Sequence, residues 1–200
     1  MTEKAKQMGK SRWGDKTPFY TPDIDILWRL FPTAQIVHLV RDGRDVLLSQ
    51  RGIRWMPSNV TRLAGDWRWK TTIAHKVGSV RGPEYFLEAR YEDLVREPET
   101  VLRKITDFLD EPYAPEMLSY HENAQSAVPA DSLRWHRSSV RAPDRSKVYE
   151  WKTKVSVADR IIFEEIAGDA LDLFGYEREY HRRTLRSRMK NLYYAIVRRW

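Results

Sequence analysis

Cysteine is absent from this chain of 200 residues. Its absence excludes a disulfide scaffold, thiolate metal sites and a cysteine nucleophile, and it suits a reducing compartment such as the cytoplasm. Glycine (9) and proline (10) are sparse and unpatterned, so neither a collagen-like nor a low-complexity chain is in question. No period of about 20 to 50 residues marks a repeat array. No apolar run approaches the roughly 20 residues that span a bilayer, and the start (Met1, Glu3, Lys4, Lys6) has no hydrophobic stretch of the signal-peptide kind. The expectation is a soluble, cytoplasmic protein. Hydrophobic residues make up 42% of the chain, enough to build a packed core in one domain.

Charge of one sign is scarce only at one end. The net charge is +7, from 35 lysines and arginines against 28 aspartates and glutamates. Seven of the basic residues (Arg182, Arg183, Arg186, Arg188, Lys190, Arg198, Arg199) fall in 181–200, which holds no acid; the 28 that remain of the 35 balance the 28 acids of 1–180. An excess gathered in one terminal segment, rather than spread over a docking face, argues against nucleic acid as a partner. The chain divides on this basis into a body, 1–178, and a basic tail, 179–200. In the tail Leu185, Met189, Leu192, Tyr193, Ile196 and Val197 recur at spacings of three and four. That pattern suits an amphipathic helix on an anionic membrane surface or another protein, or a terminal helix packed on its own domain.

Within the body, Thr21-Pro22-Asp23 ahead of Ile24, Leu27, Trp28 and Leu30 predicts a helix over 22–31. Residues 34–40 (AQIVHLV) form a short, nearly continuous aliphatic run, the pattern of a strand covered on both faces. Arg41-Asp42-Gly43-Arg44-Asp45 breaks the run, and a helix is expected from Val46. A helix over 60–80, a strand over 85–91 (YFLEARY) and a helix from Pro98 follow. Four prolines between 111 and 150 suggest loops. Ser156 and Asp159 resemble a capping box that opens a helix closed by Gly175. The fold class is therefore α/β, a parallel sheet flanked by helices. Two strands are too few to finish such a sheet, so either weaker strands hide in the loops or the chain holds part of a larger fold.

Chemistry concentrates at the strand-to-helix turn. Arg41 stands at the carboxyl end of a buried strand and Ser49 eight residues on, in the helix. Guanidinium, hydroxyl and free helix-start amides together favour phosphate oxygens. The competing reading is a salt-bridged surface turn, with Asp42 and Asp45 pairing the arginines or capping the helix. A second cluster, Asp15-Lys16-Thr17-Pro18, puts a lysine before a stiffened turn, where its ammonium could meet charge developing on a transferred group or simply face solvent.

The segments Asp15-Lys16-Thr17-Pro18, FPTAQIVHLVRDGRDVLLS (31–49) and RYEDLVREPETVLRKITDFLD (90–110) resemble, in order and spacing, motifs of sulfotransferases that use 3′-phosphoadenosine-5′-phosphosulfate. The RDGRD variant is most similar to the bacterial and tyrosylprotein-sulfotransferase-like branch. The resemblance implies transfer of a sulfuryl group from that donor to an acceptor hydroxyl on a small molecule, a glycan or a protein tyrosine, without metal. It implies that Arg41 and Ser49 grip the 3′-phosphate, that Lys16 stabilises charge on the bridging oxygen, and that Tyr91 contacts the nucleotide. It further implies that Ser138 and Lys147 belong to a late loop that closes over the cofactor.

The departures carry expectations too. The family places a strand and a GxxRSGTT-type loop, which cradles the 5′-phosphosulfate, ahead of these motifs. Here Gly9-Lys10-Ser11 is no such loop, since a phosphate-loop pattern requires glycine where Lys4 stands. The chain is expected to begin past that strand and loop, and so to retain nucleotide binding better than turnover, either as an enzyme or as an inactive subunit that binds adenosine 3′,5′-bisphosphate or a partner chain. No general base is assigned: Pro18 occupies the place of a histidine found in other branches. His38 is expected in the core or beside the cofactor, and His75, His121, His136 and His181 have no evident partner. Arg54-Trp55-Met56 and Trp67-Arg68-Trp69 fit an acceptor cleft or aromatic core packing.

Overall fold

A computed structural model of the chain describes residues 2–51, 59–122 and 143–180. Ser138, the 54–56 segment, His136, His181 and nearly all of the basic tail lie outside them, so the expectations placed on those residues have no structural counterpart.

Helix α1 (Thr2–Gln7) is followed by an extended stretch, a 3-10 turn at Pro18–Asp23 and α2 (Ile24–Leu30). The single helix expected over 22–31 is thus divided. Pro22 has no amide to donate to an α-helical ladder, so Thr21 sits inside the 3-10 turn, its hydroxyl donating to the Pro18 carbonyl at 2.8 Å, and Asp23 takes the cap position of α2.

Strands β1 (Ile36–Val40) and β2 (Phe86–Arg90) occupy the two expected segments and pair in parallel, His38 opposite Glu88 and Val40 opposite Arg90. Between them come α3 (Gly43–Arg51) and α4 (Val60–Arg81), and after β2 come α5 (Tyr91–Arg96) and α6 (Pro98–Leu109). Helices flank a small parallel sheet, as expected for the α/β class; among the described residues it has two strands. Past α6 the described residues of 111–150 are mainly loop and short 3-10 pieces, one of them Arg145–Lys147, before α7 (Trp151–Lys154) and α8 (Val157–Leu173).

Helix α4 holds the layers together. The Asn59 side chain caps it, accepting from the amides of Thr61 at 2.8 Å and Arg62 at 3.3 Å. Its buried residues Val60, Leu63, Ala64, Trp67, Thr71, Ala74 and Gly78 recur every three or four positions, so one stripe faces α8 and the sheet. Leu63 and Trp67 meet Val40, Leu47, Trp151, Phe163, Ile166, Leu171 and Phe174 in the main core, while Ala74 joins Ile24, Trp28 and Phe86 in a smaller one. Trp67 is therefore core packing rather than cleft lining. The close seating of α3 depends on Gly43: a Cβ there would lie 2.4 Å from the Phe163 ring and 2.5 Å from Trp67.

Helix α8 starts and stops where the sequence indicates. Ser156 Oγ accepts from the Asp159 amide at 3.2 Å and donates to its carboxylate at 2.9 Å. At the other end Gly175 turns left-handed, φ +70°, so that the Gly175 amide reaches Asp172 O and the Tyr176 amide reaches Leu171 O. This turn swings Tyr176 back beneath β1, where it becomes part of the core. No helix among the described residues is long and apolar enough to cross a membrane.

Candidate functional site

In the RDGRD turn Asp42, Gly43, Arg44 and Asp45 are buried, and Arg41 is partly exposed. Arg44 is 1% exposed. Its Nε and Nη2 meet the two oxygens of Asp42 at 3.0 and 2.8 Å, its Nη1 meets Glu164 Oε1 at 2.6 Å, and its plane stacks on Trp151 at 3.6 Å. Burial alone would lower the Arg44 pKa, but Asp42 and Glu164 outweigh it and hold the guanidinium more firmly protonated. The salt-bridge reading of this turn is thus correct for Arg44, though the pair is buried rather than at the surface.

Asp42 also claims the amides at the start of α3. Its Oδ1 accepts from Arg44 N at 2.9 Å, and its carbonyl accepts from Asp45 N and Val46 N at 3.0 Å each. These bonds start the helix at Gly43, three residues before the expected Val46. They also overturn one part of the anion site inferred from sequence: the amides of residues 44–46 are committed to Asp42.

Arg41 is placed differently. It follows β1 directly, as Tyr91 follows β2, so in-register pairing sets the two side by side at the carboxyl ends of the strands. The guanidinium lies over the Tyr91 ring, 4.8 Å from its centre, and Nη2 donates to Lys147 O at 2.8 Å. Its nearest carboxylate is Asp45, at 3.7 Å, but the Asp45 oxygens are turned to other donors, the amides of Tyr149 at 2.8 Å and Trp151 at 2.9 Å. Burial pushes the Asp45 pKa above the usual carboxylate range, against the pull of those amides and of Arg41. Arg41 Nε is buried and, among the described residues, has no hydrogen-bond partner. An amide-like donor left unpaired costs free energy until an acceptor reaches it.

Three residues singled out from sequence, Arg41, Tyr91 and Lys147, therefore meet at one place. Ser49 does not touch them. It is exposed on α3, one turn beyond Asp45 on the same face. Lys16 is exposed as well and makes none of these contacts. Its segment is anchored at the other end of the strand: Arg12 bonds Gln35, the residue before β1, together with Leu109 O and Glu111, and Trp13 packs edge-on against Phe31.

Two participants escaped the sequence analysis. Arg90, the last residue of β2, donates to Tyr149 OH at 2.9 Å and lies over the Tyr176 ring at 4.5 Å. Tyr149 adopts φ +60°, a left-handed conformation that costs a non-glycine residue about 1 kcal/mol and tends to persist at functional sites. Its ring is flanked by Arg96 at 5.1 Å and Lys152 at 5.4 Å. The only signal for Arg90 was its position ahead of Tyr91. Apart from this site, Glu88 accepts from His38 at 3.0 Å and His75 at 3.2 Å, giving His75 the partner that sequence did not supply. Among the described residues no group of three or more histidines and acids is arranged to hold a metal ion.

Comparison with known proteins bears on the family and the fold. Residues 2–115 match the model of the sulfotransferase family. The chain is 32% identical over 119 residues, 54% of its length, to protein-tyrosine sulfotransferase A of Caenorhabditis elegans, and 29% identical over 121 residues, 57% of its length, to protein-tyrosine sulfotransferase of Drosophila melanogaster. Among solved structures it is similar to the sulfotransferase domain of the Synechococcus PCC 7002 olefin synthase, with a TM-score of 0.64 and 27% identity over 82% of this chain. The chain spans 30% and 24% of the two proteins and 58% of that domain. More than half of the chain thus matches one family model, and the protein belongs to the sulfotransferase family.

Proposed function

We propose that the chain binds 3′-phosphoadenosine-5′-phosphosulfate at the carboxyl ends of β1 and β2 and takes part in sulfuryl transfer to an acceptor hydroxyl, on a small molecule, a glycan or a protein tyrosine. The observation that carries this reading is Arg41, a guanidinium at a strand end whose buried Nε has no hydrogen-bond partner among the described residues and whose carboxylate neighbour is occupied elsewhere. Such a donor fits the 3′-phosphate, because a charge-assisted bond is about twice as strong as a neutral one. Tyr91 would steady the guanidinium from below, and Lys147, on the 3-10 turn that crosses the strand ends, would hold it from the other side through its carbonyl. Ser49 and Ser138 complete the proposed grip. When bound, the donor supplies the sulfuryl group; this chain's residues supply position and counter-charge.

A second reading, nucleotide binding without turnover, is favoured by the place of Lys16, exposed on a segment tied to the opposite end of β1. Calorimetric titration with adenosine 3′,5′-bisphosphate tests the nucleotide assignment. Arg41→Ala is expected to weaken binding about tenfold or more, the scale of a charge-assisted hydrogen bond worth roughly 1.5–3 kcal/mol. Absence of binding, or binding indifferent to Arg41, removes the assignment. Transfer of a labelled sulfuryl group to a hydroxyl acceptor, lost in Lys16→Ala, then favours the enzyme; binding without transfer favours the second reading.

A further inference from the structure

Among the described residues Arg41 is joined by Arg90, Arg160 and Arg178 in having a buried Nε without a hydrogen-bond partner. Carboxylates neutralise two of them, Glu179 at 2.8 Å from Arg160 and Asp172 at 2.9 Å from Arg178. Arg90 is different. Among the described residues its acceptors are neutral, Tyr149 OH and, at 3.3 Å, Gly175 O. Burial would lower its pKa, yet the pKa is raised by Tyr149, Tyr176, Asp93 and Glu92 around it, so the charge stays. Of the two acids, Glu92 is spent on the Asp42 amide at 2.9 Å and Tyr176 OH at 2.9 Å.

Position strengthens the contrast. Arg90 pairs with Val40, so Arg41 and Arg90 stand at the ends of adjoining strands. A single stretch of three residues holds both: Lys147 O takes Nη2 of Arg41 and Tyr149 OH takes Nη2 of Arg90. Nη2 of each arginine is thus fixed from this stretch, and among the described residues the Nε of each has no hydrogen-bond partner. Arg96 and Lys152, both against the Tyr149 ring, add cationic field at the same spot. A phosphomonoester carries close to two negative charges at neutral pH. Arg41 shares its charge with Asp45, and the amides of residues 44–46 belong to Asp42, so a second full cation is needed and Arg90 is the one in place.

We propose that Arg90 is a second guanidinium of the anion site, binding the same phosphate group as Arg41, with Tyr149 as the residue that holds it there. The inference rests on the nucleotide reading above. Its test is titration of the full chain with adenosine 3′,5′-bisphosphate and, separately, adenosine 5′-monophosphate. Arg90→Ala is expected to weaken the bisphosphate about tenfold or more and to leave the monophosphate within about twofold, since only the former offers the extra dianion. Arg90→Lys should recover part of the loss, as a point charge without the planar fork. Tyr149→Phe, which keeps the charge and frees the side chain, should weaken the bisphosphate by a smaller factor, about threefold. If Arg90→Ala does not fold, Arg90→Lys and Tyr149→Phe carry the test.

Unchanged bisphosphate affinity in these variants, or equal losses for both nucleotides, overturns the role of Arg90. A preference for the bisphosphate that disappears in Arg41→Ala but survives in the Arg90 variants overturns this inference alone. A wild-type chain with no preference overturns the nucleotide reading and this inference with it.

Discussion

Arg41 and Arg44 stand three positions apart in one turn and have opposite surroundings. Arg44 is enclosed by two carboxylates and a tryptophan face, and every one of those groups is nearly or fully buried. Removing one member of such a cluster leaves an uncompensated buried charge. Arg44→Met is therefore expected to lose about 3–5 kcal/mol of stability, read from urea unfolding, and adding Glu164→Gln should restore part of it because the two sites share one network. A loss no larger than that of an exposed arginine would show that the network contributes little. Arg41 should behave in the reverse way, with a small effect on unfolding and a large one on anion binding. The sequence could not separate the two arginines. Both follow a strand and both have an aspartate close by, and what distinguishes them is Glu164, 120 residues away, reached only when α8 packs against α3.

The elements were more legible than the contacts between them. Strands β1 and β2, the long α4 and the capped α8 follow from aliphatic runs, helical spacing and terminal signals carried by a few adjacent residues. The split at Pro22 and the early start of α3 were hidden because the first turns on a missing amide and the second on the bonds Asp42 accepts from residues 44–46, not on a period. The His38, Glu88 and His75 cluster was hidden for a different reason: it joins β1, β2 and α4, and nothing local in YFLEARY announces a carboxylate between two imidazoles. For Glu88, burial raises the pKa, but the bonds from His38 and His75 outweigh it and hold the carboxylate below its usual 4.5. A lowered carboxylate stabilises the fold above the unfolded value, and that contribution is lost as pH falls below about 4.5 through the lowered one. Glu88→Gln should accordingly be less stable than wild type near pH 6, with the gap narrowing at about pH 3. A gap independent of pH would assign the effect to packing rather than to charge.

For the whole molecule, the parallel sheet has a consequence that single residues do not. Both strands run the same way, so their carboxyl ends open on one side, and the residues that leave them, Arg41, Arg90 and Tyr91, gather there without any long-range signal in the chain. The stretch Arg145–Tyr149 then crosses that end, held by Asp45, and supplies the carbonyl and hydroxyl that fix the two arginines. Lys147 was singled out only because its surroundings resembled a late loop of the family, and it falls at this site through its backbone rather than its ammonium. Charge is local in the same picture: the body up to residue 180 is neutral overall, yet Arg90, Arg96 and Lys152 all lie against Tyr149.

A crystal structure of the chain with adenosine 3′,5′-bisphosphate bound tests the site most directly. The expected result is the 3′-phosphate within about 2.7–3.2 Å of the Arg41 guanidinium, with Nε donating to it. A nucleotide bound elsewhere, or one whose 3′-phosphate lies in solvent while Arg41 Nε stays unpaired, would contradict the assignment.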